Sequence, residues 1–205
     1  MGFEEGALAR LRRYREEADR SLDLMREAEA ATLRFCERLF GGLEFVAALG
    51  REAGFEIEGT RARDTLTLRV TDEVRVTFGA VAGAAAETDE DLMHEELSRY
   101  VLDPSGYSGR ILGFSDAAGE SPCQVFAVYR DGLWKTKGLF VEKARGRVDD
   151  PDDVLNGFCL RILGRVLDLA APTSGAGRRW AEQRSYTLTD LLDGKRFPTE
   201  TRWFR

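Results

Sequence analysis

The sequence predicts an α+β fold, with helices packed on one face of an antiparallel sheet of about five or six strands and a long N-terminal helix before it. Two observations predict this class. Apolar residues recur every three or four positions near residues 4–53 and 152–170, which indicates helices, and they alternate with polar residues in between, which indicates strands. Short turns join neighbouring strands and require antiparallel pairing.

The first predicted helix covers residues 4–40, which lack proline and are rich in strong helix formers. Two rows of residues at heptad spacing predict a coiled-coil-like stripe on this helix, and we expect its second half to be the more deeply buried. One row consists of Leu11, Ala18, Met25, Thr32, Leu39 and Val46, and the next of Tyr14, Ala28, Phe35 and Leu49. Gly41-Gly42 is expected to break or kink the helix, since two glycines cost about 2 kcal/mol relative to alanine. A second helix at 43–53 would then end at Gly54.

The middle of the chain is predicted to alternate strands and one helix. Residues 65–70 and 74–78 read as a half-buried hairpin, with 71–73 as its turn and a further strand at 55–58. A helix is expected at 89–102, followed by strands at 110–114, 124–130 and 133–141. Asp131-Gly132 predicts a two-residue type I′ turn between the last two strands.

The last predicted helix begins at the run Asp150-Pro151-Asp152-Asp153 and extends to about Ala170. It is apolar on nearly all sides, which places it inside the core or against a partner chain. The chain therefore divides into a long N-terminal helix that could mediate dimerisation (1–42), an α+β core (43–171), and a linker with an arginine-rich, aromatic tail (172–205).

Composition narrows the class of protein. With 43% hydrophobic and 32% charged residues, the chain of 205 residues is globular, and it has no apolar run long enough to cross a membrane. The three cysteines, Cys36, Cys123 and Cys159, lie far apart in the sequence, and we expect them to be small buried hydrophobic residues. Their odd number argues against a disulfide framework and predicts a cytoplasmic protein. We expect no signal peptide. The net charge of −6 argues against a dedicated nucleic-acid binder.

Catalytic motifs are largely missing from the sequence. It contains no phosphate-binding loop, no Gly-x-Ser-x-Gly elbow and no closely spaced cysteines, so we expect no cofactor and no metal. His94 is the only histidine, one helical turn after Glu90, and an unrecognised enzyme site near it stays an alternative.

Two sets of residues are candidates for binding. Arginines and aromatic residues in the tail are candidates for binding a protein partner: Arg196, Phe197, Arg202, Trp203, Phe204 and Arg205. An N-terminal arginine cluster and a predicted strand supply the candidates for binding nucleic acid: Arg10, Arg12, Arg13, Arg15, Trp134, Lys135 and Lys137.

The function that these features favour is non-enzymatic: a protein-interaction, adaptor or chaperone-like protein acting as a homodimer with an unidentified protein partner. The alternative is a nucleic-acid-associated accessory protein that uses the arginine clusters at both chain ends. The order of helices and strands resembles that of the small acidic secretion chaperones, which form dimers, although the long first helix and the aromatic tail depart from that pattern.

Overall fold

The computed structural model describes residues 3–70, 74–86, 107–116 and 122–170. Within these ranges the chain forms a long N-terminal helix, an antiparallel sheet and a C-terminal helix, which confirms the predicted α+β class. The elements are, in order, α1 (Phe3–Glu52), β1 (Glu58–Ala62), β2 (Thr65–Arg69), β3 (Arg75–Ala86), β4 (Tyr107–Ser115), β5 (Gln124–Tyr129), β6 (Leu133–Gly138), β7 (Lys143–Arg147) and α2 (Asp152–Ala170).

Over the described ranges the sheet contains seven strands, slightly more than the five or six predicted, and they are ordered β1 to β7 as in the chain. The predicted hairpin is confirmed, because Leu66 pairs with Phe78 and Leu68 with Val76. The additional strand is β7, whose sequence Lys-Ala-Arg-Gly-Arg lacks the apolar alternation that marks a half-buried strand. The strand predicted at 55–58 is misplaced, because β1 begins at Glu58 and continues to Ala62.

The turn between β5 and β6 differs from the predicted two-residue type I′ turn. The Gly132 N–H donates to the carbonyl of Tyr129 at 3.0 Å, which makes Arg130 and Asp131 the central residues of the turn. Gly132 follows them with a φ of 80°. The connection is therefore a three-residue loop that ends on a left-handed glycine, the next most common hairpin geometry.

The core lies between the two helices and one face of the sheet, which we call the helix-facing side. Its centre is a cluster of aromatic rings contributed by α1, the sheet and α2. Phe35 of α1 stacks on Trp134 of β6 with ring centroids 5.0 Å apart, and Phe158 of α2 lies 5.0 Å from the same indole. Because α1, α2 and the sheet each contribute a ring to this cluster, they share one core.

The helix α1 continues through Gly41-Gly42, so the predicted break there is wrong. A Cβ at Gly42 would lie 2.8 Å from the Cys159 sulfur and 3.1 Å from the Asn156 side chain. The missing side chain thus lets α2 approach α1 closely, and this packing offsets the low helix propensity of glycine. The predicted end is confirmed, since Gly54 follows the helix with a φ of 94°.

The helix α2 begins where the sequence predicts, and it is described as far as Ala170. Arg38 of α1 holds its start, because the guanidinium donates to the carbonyl of Asp150 at 2.6 Å and to the carboxylate of Asp152 at 2.5 Å. It also donates to the carbonyl of Val148. One side chain therefore ties the two helices and the connection after β7 together.

Three predicted features lie outside the described residues: the helix at 89–102, the linker after residue 171 and the aromatic tail. In the part of the chain that the structure describes, no helix is both long enough and apolar enough to span a membrane.

Candidate interaction surfaces

The heptad stripe of α1 is buried in one half of the helix and exposed in the other. Leu39 and Phe35 are fully buried, whereas Leu11 and Tyr14, which belong to the same two rows, are 63% and 52% exposed. The change occurs at Ala28, the first buried residue of α1. The expectation that the second half is the more deeply buried is confirmed.

We call residues 3–27 of α1 the exposed segment. At its C-terminal boundary α1 contacts the sheet, where Glu29 accepts a hydrogen bond from the Gly83 N–H at 2.8 Å and Glu27 pairs with Arg130 at 3.4 Å. Within the segment, the side-chain contacts seen between described residues are local, such as Arg15 with Asp19 at 3.8 Å. In the exposed segment the apolar stripe consists of the row of Leu11, Ala18 and Met25 and the adjoining row of Leu8 and Leu22, which Arg15 interrupts, while the row of Tyr14 forms its edge. The three leucines are each about half exposed.

The face of the sheet opposite the helices is cationic across β4 to β7, and we call it the cationic face. The pairing register aligns Arg110, Ala127, Lys135 and Arg145 in one row across the four strands. Lys137 and Lys143 are paired in the next row. Among the described residues of these strands, this face carries no carboxylate and six basic residues: Arg110, Lys135, Lys137, Lys143, Arg145 and Arg147.

The structure separates the sheet residues that the sequence grouped as a nucleic-acid site. Trp134 points to the helix-facing side and is only 4% exposed, so its ring is covered by the core and cannot stack on a base. Lys135 and Lys137 point to the opposite face, because successive side chains of a strand alternate. Lys135 is also 4% exposed, with its Nζ 5.0 Å from the centre of the Tyr129 ring. Lys137 is half-buried.

The N-terminal arginines lie on a different element from these lysines. Arg10, Arg12, Arg13 and Arg15 are all exposed on α1, and Arg10 donates to the Tyr14 hydroxyl at 2.9 Å. The tail residues predicted to bind a protein partner, Arg196 to Arg205, lie outside the described residues, as does His94. Those predictions remain predictions.

The thiols show no sign of a reactive site. Burial raises the pKa of Cys36 and of Cys159 to about 12, and that of the half-buried Cys123 to about 11. Thiolate is the nucleophile and the metal ligand, so these groups are protonated and inert near neutral pH. The described residues also contain no cluster of three metal-ligating side chains.

Comparisons with protein-family models, with curated proteins and with solved structures found no match to this chain. The exposed segment and the cationic face are the two described surfaces that bear on its function.

Proposed function

We propose that this protein is a non-enzymatic interaction protein that acts as a homodimer, with the exposed segment of α1 as its dimer interface. One observation carries the proposal. The apolar rows that the protein buries from Ala28 onward continue, at the same spacing, onto a surface that its own core leaves exposed. A helix whose stripe runs past its own domain needs a second surface to bury the remainder.

A second copy of the chain fits the exposed segment in both shape and charge. The segment extends for about 37 Å at about 1.5 Å per residue. In proteins most of the stability of a helix comes from packing of its apolar face, which a second copy would supply here. Fully burying each leucine or methionine of the stripe would contribute about 1.5 to 3 kcal/mol. The segment carries seven acidic and six basic residues, so two copies can approach without strong net repulsion.

Replacing Leu11 and Leu22 by glutamate is expected to convert the dimer into a monomer. The two carboxylates would have to be buried in the interface, which costs far more than the exposed ion pairs around it could return. Light scattering after size exclusion, at tens of micromolar protein, should give twice 22.9 kDa for the natural chain and 22.9 kDa for the variant.

The matched control places the same change in net charge on the outer side of the same helix segment. Ala9→Glu with Arg20→Gln changes exposed positions outside the apolar stripe and should keep the dimer mass. A natural chain that runs at 22.9 kDa under these conditions would refute the proposal.

A second candidate function is binding to a nucleic-acid backbone through the cationic face. The exposed Lys143 and Arg145 of β7, with the half-buried Lys137 paired to Lys143, support it. Phosphate contacts by lysine and arginine release counterions, so such binding weakens steeply as salt increases.

For this candidate, Lys137→Glu with Lys143→Glu is expected to abolish binding to a fluorescent single-stranded oligonucleotide at low salt. Arg51→Glu with Arg63→Glu, at exposed positions away from this face, makes the same charge change and should preserve most of the affinity. Anisotropy titrations at several salt concentrations measure both. Equal losses in the two variants would exclude a specific role for the cationic face.

A further inference from the structure

The charges beside the apolar stripe specify how two copies of α1 pair. We infer that the exposed segments form an antiparallel two-helix coiled coil, with its two-fold axis between Glu16 and Glu17. This inference rests on the proposed function, since it assumes that a second copy covers the exposed segment, and it adds the orientation and the register.

One edge of the stripe carries charges that alternate in sign at every seventh residue. Glu5, Arg12, Asp19 and Arg26 are all exposed and follow one another along this edge as minus, plus, minus, plus. The other edge carries no charge and comprises Ala7, Tyr14, Ser21 and Ala28. Heptad spacing keeps each set on its own side of the helix.

In an antiparallel pair related by a two-fold axis, each edge faces its own copy, and residue i meets j wherever j meets i. An axis near residue 16 brings Arg12 to Asp19 of the second copy and Glu5 to its Arg26. Each contact occurs twice, so four ion pairs of opposite sign form across the interface. The partner residues are offset by about 3 Å along the helix axis at about 1.5 Å per residue, which an arginine side chain spans.

The same axis brings the apolar stripe into register. Leu8 lies opposite Met25 of the second copy, and Leu11 lies opposite its Leu22. Arg15, the one charged residue within the stripe, lies opposite Ala18, whose small side chain leaves room for the arginine stem to reach solvent. Two independent patterns, the edge charges and the stripe, thus place the axis within one residue of each other.

Other arrangements conflict with the charge pattern. Sliding the antiparallel pair by one heptad in either direction brings Arg12 to an arginine and Asp19 to an acidic residue. A parallel pair in register places Arg15 against Arg15 of the second copy within the apolar stripe. It also places the charged edge of each helix against the uncharged edge of the other. Like charges facing each other across a coiled coil disfavour these alternatives.

The length of the exposed segment agrees with the inferred axis. In this register Ala28, where burial begins, lies opposite Glu5 of the second copy. The overlap therefore ends where each core begins, and the two α+β cores lie at opposite ends of the coiled coil.

The test uses full-length chains with recoded edges. Arg12→Glu with Arg26→Glu makes the charged edge of one chain entirely acidic, and Glu5→Arg with Asp19→Arg makes the same edge of a second chain entirely basic. Each chain alone is expected to run at 22.9 kDa by light scattering, and an equimolar mixture should run at twice that mass. The control Arg13→Glu with Arg20→Glu makes the same charge change on the outer side of the helix and should stay dimeric.

Orientation is tested in the mixed dimer by cross-linking. With Leu8→Cys in the acidic chain and Met25→Cys in the basic chain, a short bis-maleimide should link the two chains in high yield. Leu8→Cys in both chains should not cross-link, and efficient cross-linking there would overturn the antiparallel arrangement alone.

The remaining outcomes are also decisive. Recoded chains that each stay dimeric, or a mixture that stays monomeric, would overturn the inferred register while leaving the homodimer intact. A monomeric natural chain would overturn both the homodimer and its register. Circular dichroism of each variant checks that the exposed substitutions leave the fold unchanged.

Discussion

Replacing Gln124 by leucine is expected to lower the free energy of unfolding by about 3 to 5 kcal/mol, because a fully buried amide holds the connection between β6 and β7. Its oxygen accepts from the N–H groups of Phe140 and Val141 at 3.0 and 3.1 Å. Its nitrogen donates to the Thr136 hydroxyl at 2.6 Å and to the carbonyl of Val141 at 3.1 Å. Leucine fills the volume and leaves these groups without their partner.

Thermal and urea unfolding at one fixed protein concentration measure the loss, which should lower the midpoint by about 10 °C. Thr77→Val is the matched control, since it removes one hydroxyl that lies 3.0 Å from Thr67 at a half-buried site, and it should cost less than about 1 kcal/mol. Amide exchange gives a local check. Retained protection at residues 140 and 141 in the leucine variant would show that other groups hold this connection.

Much of the fold follows from local patterns in the sequence, because a helix or strand that is buried on one face carries apolar residues at a regular spacing. The hairpin of β2 and β3 was predictable since Leu66 and Leu68 alternate with threonines and face Val76 and Phe78. The strand β7 was not, because it is an edge strand whose outward residues are basic, and basic edges protect a sheet without any apolar signature.

The errors arise where a distant partner overrides a local preference. Gly42 lowers helix propensity locally, yet the helix continues because Cys159 packs into the space that glycine leaves. Trp134 and Lys135 are adjacent in the sequence, and only the direction of the pleat shows that one enters the core and the other does not. Gln124 carries no sequence signal, since its four hydrogen bonds go to three residues that lie 12 to 17 positions away.

The candidate interface was partly visible in the sequence. The heptad rows from Leu11 and Tyr14 predicted a stripe, and counting in sevens from Glu5 would also have found the alternating charges. The sequence could not show where the stripe leaves the core. Positions 18 and 28 are both alanine, yet only Ala28 is buried. That boundary depends on how far the sheet extends beneath α1.

Replacing Gly109 by alanine is expected to lower the free energy of unfolding by about 3 kcal/mol, because α1 crosses β4 directly over this residue. A Cβ at Gly109 would lie 2.1 Å from the Thr32 hydroxyl oxygen and 2.8 Å from the Thr32 Cβ. The hydroxyl is held in place by its bond to the carbonyl of Ala28 at 2.8 Å, so rotating it away costs a buried hydrogen bond. The helix and the strand must instead move apart.

Gly59→Ala is the control, because its Cβ would meet only Leu68 at 3.7 Å, and it should change stability by less than about 0.5 kcal/mol. Thr32→Ala removes the hydroxyl oxygen at 2.1 Å and the Cγ2 at 3.1 Å but keeps the Cβ at 2.8 Å, so the double variant Thr32→Ala, Gly109→Ala should recover about half of the loss. Urea unfolding of the four chains in this cycle gives the coupling energy. Strictly additive effects would mean that α1 already has room to shift, and the close contact over β4 would then contribute little to the position of the helix.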